Sequence, residues 1–211
     1  MFPDDVRLYP LTDVRLSGLS HAEQVARLSD GGARLIQLRE KYLSPREFYD
    51  QAIEAMRVAR SRGVRIIIND RVDLAMAIEA DGVHVGQNDF PPQAARRLLG
   101  DGAIIGFSTH NVEQAVEAAK MNVDYIAIGP IFSTSTKDNP DPIVGLAGLK
   151  RVREAVGKIP LVAIGGITSE NASQVIEAGA DAVAVVSALV LSPGEITAQT
   201  KRFISQLSLV N

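Results

Sequence analysis

The sequence contains no cysteine, and its formal net charge is only −3 over 211 residues. The lack of cysteine excludes disulfide bonds, thiolate metal sites and a cysteine nucleophile. The near-balanced charge gives no electrostatic case for binding nucleic acid or an anionic membrane. An anionic ligand would therefore have to be held by a local group of cations or backbone N–H groups.

Long apolar segments are also missing. No apolar run approaches the roughly 20 residues that a bilayer-spanning helix needs. The N-terminal segment MFPDDVRLYPL lacks the basic and then apolar pattern of a secretory signal. We therefore expect a cytoplasmic protein without nucleic-acid or membrane partners. The sequence does not determine the oligomeric state and is compatible with a homo-oligomer.

The composition is that of a globular protein, with 46% hydrophobic and 22% charged residues. A chain of this length buries most of its surface in one core, and α/β barrels of this size form without splitting. No linker or low-complexity tract divides the chain. We expect one domain over residues 1–211.

Short, nearly continuous apolar runs alternate with amphipathic segments along the chain. Such runs are typical of parallel strands covered on both faces. The predicted strands are Arg7–Leu11, Arg34–Leu38, Arg65–Ile68, Gly82–Val85, Ile104–Phe107, Tyr125–Ile128, Leu161–Ile164 and Ala182–Val186. The predicted helices are His21–Leu28, Pro45–Arg60, Val72–Glu79, Pro92–Leu99, Val112–Lys120, Leu146–Val156, Ala172–Ala178 and Glu195–Leu207.

Eight strands that are each followed by a helix predict a parallel sheet, and eight such units close naturally into a (β/α)8 TIM barrel. Periodicity alone does not demonstrate closure, so a doubly wound open sheet remains the alternative. In a TIM barrel the active site lies at the C-terminal ends of the strands. Unusual polar residues should therefore gather directly after the strands, and they do.

The second strand runs into the segment QLREK. The alternation of a strand places Gln37, Arg39 and Lys41 on one face and Leu38 and Glu40 on the other. Two cations that converge at a barrel mouth are costly unless an anion lies between them. Arg39 can offer a bidentate fork to a diphosphate, and Lys41 a point charge. Solvated charges at a fraying strand end are the alternative.

Two aspartates follow the third and fourth strands. Asp70 and Asp89 offer carboxylates at adjacent strand ends, and carboxylates suit a hard cation such as Mg²⁺. Mg²⁺ commonly retains water and shares substrate phosphates, so two protein ligands suffice. A helix N-cap at Asp70 and an ordinary turn at Asp89 are the alternatives.

The segment from Gly129 to Gly145 is the longest connection and is rich in serine, threonine and proline. Loops of this length in compact barrels are commonly functional or disordered. It holds hydroxyl groups at residues 134–136 and a cation at Lys137. After the last two strands, Gly165-Gly166 and Val186-Ser187 match the phosphate cradle that recurs in TIM barrels.

The three histidines carry less information than these loops. His84 lies within a strand and is interpreted as a core residue with satisfied hydrogen bonds. His21 lies near a helix start, away from the mouth. His110 follows the fifth strand, where an entry to the next helix and a substrate contact are equally compatible with the sequence.

The ordered motifs QLREK, IIIND, VHVGQND, GFSTHN, IGPIFSTSTK, VAIGGIT and AVVSA resemble those of thiamine-phosphate synthases. The resemblance extends from about Arg34 to Ala188 and covers seven of the eight strand ends. Phe107, before Ser108, departs from it where a smaller aliphatic residue is expected.

The resemblance implies an alkyl transferase that joins a pyrimidine diphosphate to a thiazole phosphate, with CO2 loss when the thiazole is carboxylated. It implies a dissociative substitution assisted by one Mg²⁺ per subunit on Asp70 and Asp89. The implied pyrimidine diphosphate site comprises Gln37, Leu38, Arg39, Glu40, Lys41, Asn69, Ser108 and Lys137. The implied thiazole phosphate site comprises Thr134, Ser135, Thr136, Gly166, Val186 and Ser187. The implied catalytic residues are Arg39, Lys41, Ser108 and Lys137.

Three other functions share parts of this pattern. A thiazole tautomerase of the same superfamily would not need Asp70, Asp89 or Lys137, and it would need a general base after the sixth strand. A ribulose-phosphate epimerase type of barrel commonly needs metal-binding histidines at strand ends. A non-catalytic phosphate-binding or vitamin-binding protein could retain the phosphate cradle without the two carboxylates.

Overall fold

The computed structural model describes residues 1–134 and 141–209, and its centre is a closed barrel of eight parallel strands. Each strand pairs with its neighbours in sequence, and β8 pairs with β1. The strands are β1 (Leu8–Thr12), β2 (Leu35–Leu38), β3 (Arg65–Asn69), β4 (Gly82–Val85), β5 (Ile104–Thr109), β6 (Tyr125–Ile128), β7 (Leu161–Ile164) and β8 (Ala182–Val185). Closure confirms the predicted TIM barrel and excludes the open sheet.

The helices form the outer layer of the barrel. They are α1 (Val14–Ser17), α2 (His21–Asp30), α3 (Pro45–Ser61), α4 (Val72–Ala77), α5 (Pro92–Leu99), α6 (Val112–Ala118), α7 (Gly145–Val156), α8 (Ala172–Glu177), α9 (Ser187–Val190) and α10 (Ile196–Leu207). A 3-10 turn at Pro193–Glu195 precedes α10. Among the residues that the structure describes, no helix combines the length and apolar content needed to cross a bilayer.

The strands alternate between two core layers. Ile66 and Ile68 of β3 point outward and pack under the helices, whereas Ile67 points into the barrel. All three side chains are fully buried, which explains why the strand is a continuous apolar run. The inner layer also contains Tyr9 and Tyr125, whose hydroxyl groups must find partners inside the barrel.

The barrel has a repeated aspartate clamp at the amino ends of its strands. An aspartate directly precedes each of β4, β6 and β8, and its carboxylate accepts the backbone N–H at the start of the preceding strand. The three bonds, each 2.7–2.8 Å long, join Asp81 to Ile66, Asp124 to Ile105 and Asp181 to Leu161. Arg96 and Arg153 also pair with the last two of these carboxylates.

We expect Asp124→Ala to lower the free energy of unfolding by about 1–3 kcal/mol, because it leaves the Ile105 N–H without its acceptor and removes the carboxylate that pairs with Arg96. Urea denaturation at neutral pH measures the change. Asp101→Ala is the control, because this exposed aspartate lies at the same end of the barrel. Equal stability of the two variants would contradict the clamp.

Candidate active site

A cavity of about 690 Å³ opens at the carboxyl ends of the strands. Its volume lies within the range of small-molecule sites. The following residues predicted for the site line it: Gln37, Arg39, Lys41, Asn69, Asp70, Asp89, Ser108, Thr134, Gly166, Val186 and Ser187. Polar residues from separate strand ends therefore meet in one place, as expected for a TIM barrel, whose active site lies at the C-terminal ends of the strands.

The segment after β2 divides between two environments, as the strand alternation predicts. Gln37, Arg39 and Lys41 face the cavity. Leu38 packs in the outer core layer, and the Glu40 side chain is almost fully buried beside His21. The side chains of Leu38 and Glu40 thus lie outside the cavity lining, and the binding roles implied for these two residues would have to rest on their backbone groups.

Glu40 anchors the loop that follows β2. One carboxylate oxygen accepts the backbone N–H groups of Lys41, Tyr42 and Leu43 at 2.6–3.1 Å. The other oxygen lies 3.5 Å from Nε2 of the buried His21. Burial opposes ionisation, but the His21 contact and the three N–H donors outweigh it and lower the pKa of Glu40 to about 2. This anchor fixes the backbone from which Arg39 and Lys41 extend.

Asp13 holds Arg39 in place, although it belongs to none of the motifs that predict the site. The Arg39 guanidinium donates to Asp13 Oδ2 at 2.7 Å, and both side chains are largely buried. The second Asp13 oxygen caps α1 by accepting the Leu16 N–H at 3.0 Å. Asp13 directly follows β1, and in a TIM barrel this position at the end of a strand is the sequence signal for a residue near the active site.

Asp70 and Asp89 approach each other closely, as expected for carboxylates at adjacent strand ends. Burial and the neighbouring charge and hydrogen bond of Asp70 raise the pKa of Asp89, although the Gly86 N–H donates to Asp89 at 2.8 Å. Lys41 makes an ion pair with Asp70. The structure thus brings two carboxylates and one cation together at the edge of the cavity.

The backbone at Asp70 has an unusual conformation. Its φ angle is +62°, a left-handed conformation that costs energy in a residue other than glycine. The N-cap position of α4 belongs to Arg71, whose side chain makes no capping hydrogen bond. The structure therefore excludes the alternative in which Asp70 is the N-cap of α4.

Gly165 and Gly166 are required by backbone conformation and by close packing, in addition to their position after β7. Both have positive φ angles, of +101° and +65°. A Cβ at Gly165 would lie 2.6 Å from Pro130 Cα, and one at Gly166 would lie 2.5 Å from the Ser133 carbonyl oxygen. The glycine pair therefore permits close packing of the loop after β6, in addition to any approach by a ligand.

The loop after β6 is joined to β7 by backbone hydrogen bonds. Ile131 donates to Ile164 at 2.9 Å, and Phe132 donates to Gly165 at 3.0 Å. Thr134 reaches the cavity lining. The predicted residues Ser135, Thr136 and Lys137 lie outside the described residues, so their roles stay predictions.

His84 is a satisfied residue inside the barrel, as the sequence indicates. Its two ring nitrogens lie 2.8 Å from the Tyr125 hydroxyl and 2.8 Å from the Ser108 hydroxyl. Burial lowers the pKa of His84 to about 4, although the charge of Asp89 opposes the shift. The contact with Ser108 links His84 to the cavity, which no local sequence signal indicates.

The described residues contain no cluster of three or more histidine, aspartate or glutamate side chains that could hold a metal ion. The two carboxylates predicted to hold a metal at this mouth, Asp70 and Asp89, both line the cavity. Two hard oxygen donors with a raised carboxylate pKa suit a divalent cation that takes its other ligands from water or substrate.

The fold and the cavity together define a (β/α)8-barrel enzyme with acidic, cationic and glycine-rich segments at one mouth. The thiamine monophosphate synthase family matches residues 8–189. The chain belongs to this family and is a transferase of thiamine biosynthesis.

Individual relatives agree over nearly the whole chain. The chain is 45% identical to thiamine-phosphate synthase of Chloroflexus aurantiacus over 206 residues, which cover 97% of this chain and 94% of that protein. It is 48% identical to thiamine-phosphate synthase of Clostridium novyi over 184 residues, or 87% and 90% of the two chains. The solved thiamine phosphate pyrophosphorylase from Pyrococcus furiosus superposes with a TM-score of 0.88 at 36% identity and covers 98% of both chains.

Proposed function

We propose that this transferase joins 4-amino-2-methyl-5-(diphosphooxymethyl)pyrimidine to thiazole phosphate and forms thiamine phosphate and diphosphate. With a carboxylated thiazole, CO2 would be the third product. The observation that carries the proposal is one cavity with carboxylates and cations at the ends of β2–β4, a glycine pair after β7 and the start of α9 after β8. Such a cavity suits two phosphorylated substrates of which one loses diphosphate.

The carboxylate pair supports a magnesium requirement. We propose that Asp70 and Asp89 hold one Mg²⁺ per subunit, since burial and the nearby charge of Asp70 raise the pKa of Asp89 and a dication would stabilise the ionised pair. Bound there, Mg²⁺ would neutralise charge on the diphosphate. Lys41, which pairs with Asp70, then lies where it can turn to a diphosphate oxygen.

The bond changes need little acid or base catalysis from the protein. The bond between the pyrimidine methylene carbon and the diphosphate oxygen breaks, and its electron pair leaves with diphosphate. The thiazole nitrogen lone pair then forms the new bond to carbon. The chain's own contribution is to position both substrates and to stabilise the leaving group with Arg39, Lys41 and Lys137.

The polar lining divides between the two substrates. We assign Gln37, Asn69 and Ser108 to the pyrimidine, because Gln37 Oε1 and Asn69 Nδ2 are buried without a partner among the described residues. We assign Thr134–Thr136, Gly166, Val186 and Ser187 to the thiazole phosphate. Val186 and Ser187 stand where β8 ends and α9 begins, so backbone N–H groups are available there.

We expect Ser187→Ala to raise the KM for thiazole phosphate by about 10-fold or more, which corresponds to loss of a hydrogen bond to a charged group. The KM for the pyrimidine diphosphate should not change, because it binds at the other rim. Steady-state kinetics with each substrate varied in turn measure both constants. Ser192→Ala, at an exposed serine, is the control. A rise confined to the pyrimidine KM would refute the assignment.

Gly166→Val is a less selective test of the same rim. Because its Cβ would collide with the loop after β6, the variant should disturb the Phe132–Thr134 backbone as well as the phosphate site. A combined loss of kcat and thiazole phosphate affinity is therefore expected.

The proposed function is tested by incubating the protein with both substrates and Mg²⁺ and identifying thiamine phosphate by mass spectrometry. A thiazole tautomerase would form no such product and would release no diphosphate. A non-catalytic binding protein would retain the substrates unchanged. As an enzyme of free metabolites, the protein would act in the cytoplasm, without a nucleic-acid or membrane partner.

A further inference from the structure

Five polar side chains form a continuous chain of hydrogen bonds inside the barrel. Gln37 Nε2 donates to the Tyr9 hydroxyl at 3.0 Å, and the Tyr9 and Tyr125 hydroxyls lie 3.0 Å apart. The Tyr125 hydroxyl lies 2.8 Å from His84 Nδ1, and His84 Nε2 lies 2.8 Å from the Ser108 hydroxyl. The two ends of the chain, Gln37 and Ser108, both line the cavity.

The three inner members are neutral at physiological pH. Burial raises the pKa values of Tyr9 and Tyr125 above the ordinary tyrosine value. Both ring nitrogens of the buried His84 lie 2.8 Å from hydroxyl groups, and these contacts need no charge on the ring. Each neutral member then has one polar hydrogen to donate. Because each must donate to one neighbour and accept from the other, all the bonds point the same way along the chain.

The Gln37 amide gives the direction. Since Gln37 donates to Tyr9, Tyr9 must donate to Tyr125, and Tyr125 must donate to Nδ1 of His84. His84 then carries its hydrogen on Nε2 and donates it to Ser108. The Ser108 hydrogen is left to point into the cavity, and Gln37 Oε1 is left as a buried acceptor without a partner among the described residues.

The packing around Tyr125 shows that the chain is built into the fold. Tyr125 lies opposite Gly106 in the pairing of β5 with β6. A Cβ at Gly106 would lie 2.0 Å from the Tyr125 ring, so only glycine at this position leaves room for the ring. The Tyr125 ring also stacks on His84, with ring centroids 5.4 Å apart.

We infer that Tyr9, Tyr125 and His84 are positioning residues that make Gln37 a hydrogen-bond acceptor and Ser108 a donor, and thereby select an aminopyrimidine over an oxopyrimidine. The inference rests on the proposed function. An aminopyrimidine offers an exocyclic N–H donor and an unprotonated ring nitrogen. The oxo form offers a carbonyl acceptor and a ring N–H, so it would need every bond in the chain to reverse.

The test is calorimetric measurement of Kd for the amino and oxo pyrimidine diphosphates in Mg²⁺. Binding is chosen over turnover because the exchange of the ring substituent also changes the intrinsic reactivity. The wild-type protein should prefer the amino form by about 100-fold, since a site left with unpaired buried groups rejects the mismatched ligand strongly. Tyr125→Phe should reduce this preference at least about 10-fold, because each end can then reorient independently.

Two further variants separate this role from general packing. Tyr49→Phe removes a hydroxyl outside the chain of bonds and should leave the preference unchanged. Tyr9→Phe breaks a different bond and should reduce the preference as Tyr125→Phe does. The double variant should lose no more than either single variant, because a chain that is broken once is already uncoupled. Additive losses, or an equal loss of affinity for both pyrimidines, would overturn the inference.

The direction of the bonds has its own readout, which needs no ligand. Nitrogen-15 NMR of histidine-labelled protein at pH 7 should show His84 protonated at Nε2, with the signal assigned by its loss in His84→Asn. Protonation at Nδ1 would overturn the inference, as would equal affinity of the wild type for the two pyrimidines. If the protein binds neither pyrimidine, the proposed function and this inference are both refuted. If it binds the amino form selectively but forms no thiamine phosphate, only the proposed function is refuted.

Discussion

Asp89→Asn is expected to lower the rate of thiamine phosphate formation by about 10³-fold or more, because a metal ion that neutralises the diphosphate contributes several kcal/mol to the transition state. Asparagine can still accept the Gly86 N–H but lacks the charge that a dication requires. Single-turnover rates at several Mg²⁺ concentrations measure the effect. The remaining activity should depend only weakly on Mg²⁺.

The stability of the same variant distinguishes a metal ligand from a structural residue. Burial and Asp70 raise the pKa of Asp89, so the ionised carboxylate opposes folding at neutral pH in the absence of metal. The free energy of unfolding of metal-free Asp89→Asn should equal or exceed that of the wild type. Asp50→Ala, at an exposed carboxylate of α3, is the control for activity. A large loss of stability together with a normal rate of thiamine phosphate formation would refute the metal role.

Lys137→Ala is expected to lower kcat by about 10²-fold or more, by analogy with the loss of one preorganised donor to a developing charge. In the structure, Arg39 pairs with Asp13 and Lys41 pairs with Asp70, so the charges of both cations are partly neutralised by carboxylates. A third cation in the loop after β6 would then carry much of the leaving-group stabilisation. The KM for pyrimidine diphosphate should change less, because the other cations and Mg²⁺ still bind it.

Steady-state and single-turnover kinetics together test the role of Lys137, because they separate chemistry from product release. Lys158→Ala is the control, because this exposed cation lies in the connection between α7 and β7, at the opposite end of the barrel from the cavity. A raised KM with unchanged kcat would mean that Lys137 binds the ground state and the transition state equally. The proposed leaving-group role would then be wrong.

The fold was predictable because each strand is a short apolar run. One face of each strand packs under the helices and the other faces the interior of the barrel, so both faces are apolar. The strand that contains Ile66–Ile68 illustrates this, since its pattern is continuous rather than alternating. The short helices α1 and α9 were not predicted, because four residues are too few to show a helical period. α1 depends instead on capping by Asp13 and on Gly18, whose φ angle is +67°.

The candidate site was predictable for those residues that directly follow a strand. The alternation of Gln37, Arg39 and Lys41 with Leu38 and Glu40 is an example, since strand geometry alone decides which side chains face the cavity.

Contacts between distant strands were not predictable. The bond between Tyr9 and Tyr125 joins residues 116 positions apart, and the bond between His84 and Tyr125 joins residues 41 positions apart. Only barrel closure brings these side chains together. The clash that a Cβ at Gly166 would make with Ser133 was hidden for the same reason, because it depends on how the loop after β6 folds back.

The most direct test of the proposed reaction is the stoichiometry of a single incubation with both substrates. The wild-type protein with Mg²⁺ should form thiamine phosphate and diphosphate in equal amounts, and an excess of chelator should stop the formation of both. Asp89→Asn should behave like the chelated wild type. Thiamine phosphate formed at the full rate in excess chelator would contradict the magnesium site, and consumption of the thiazole without diphosphate release would contradict the coupling reaction itself.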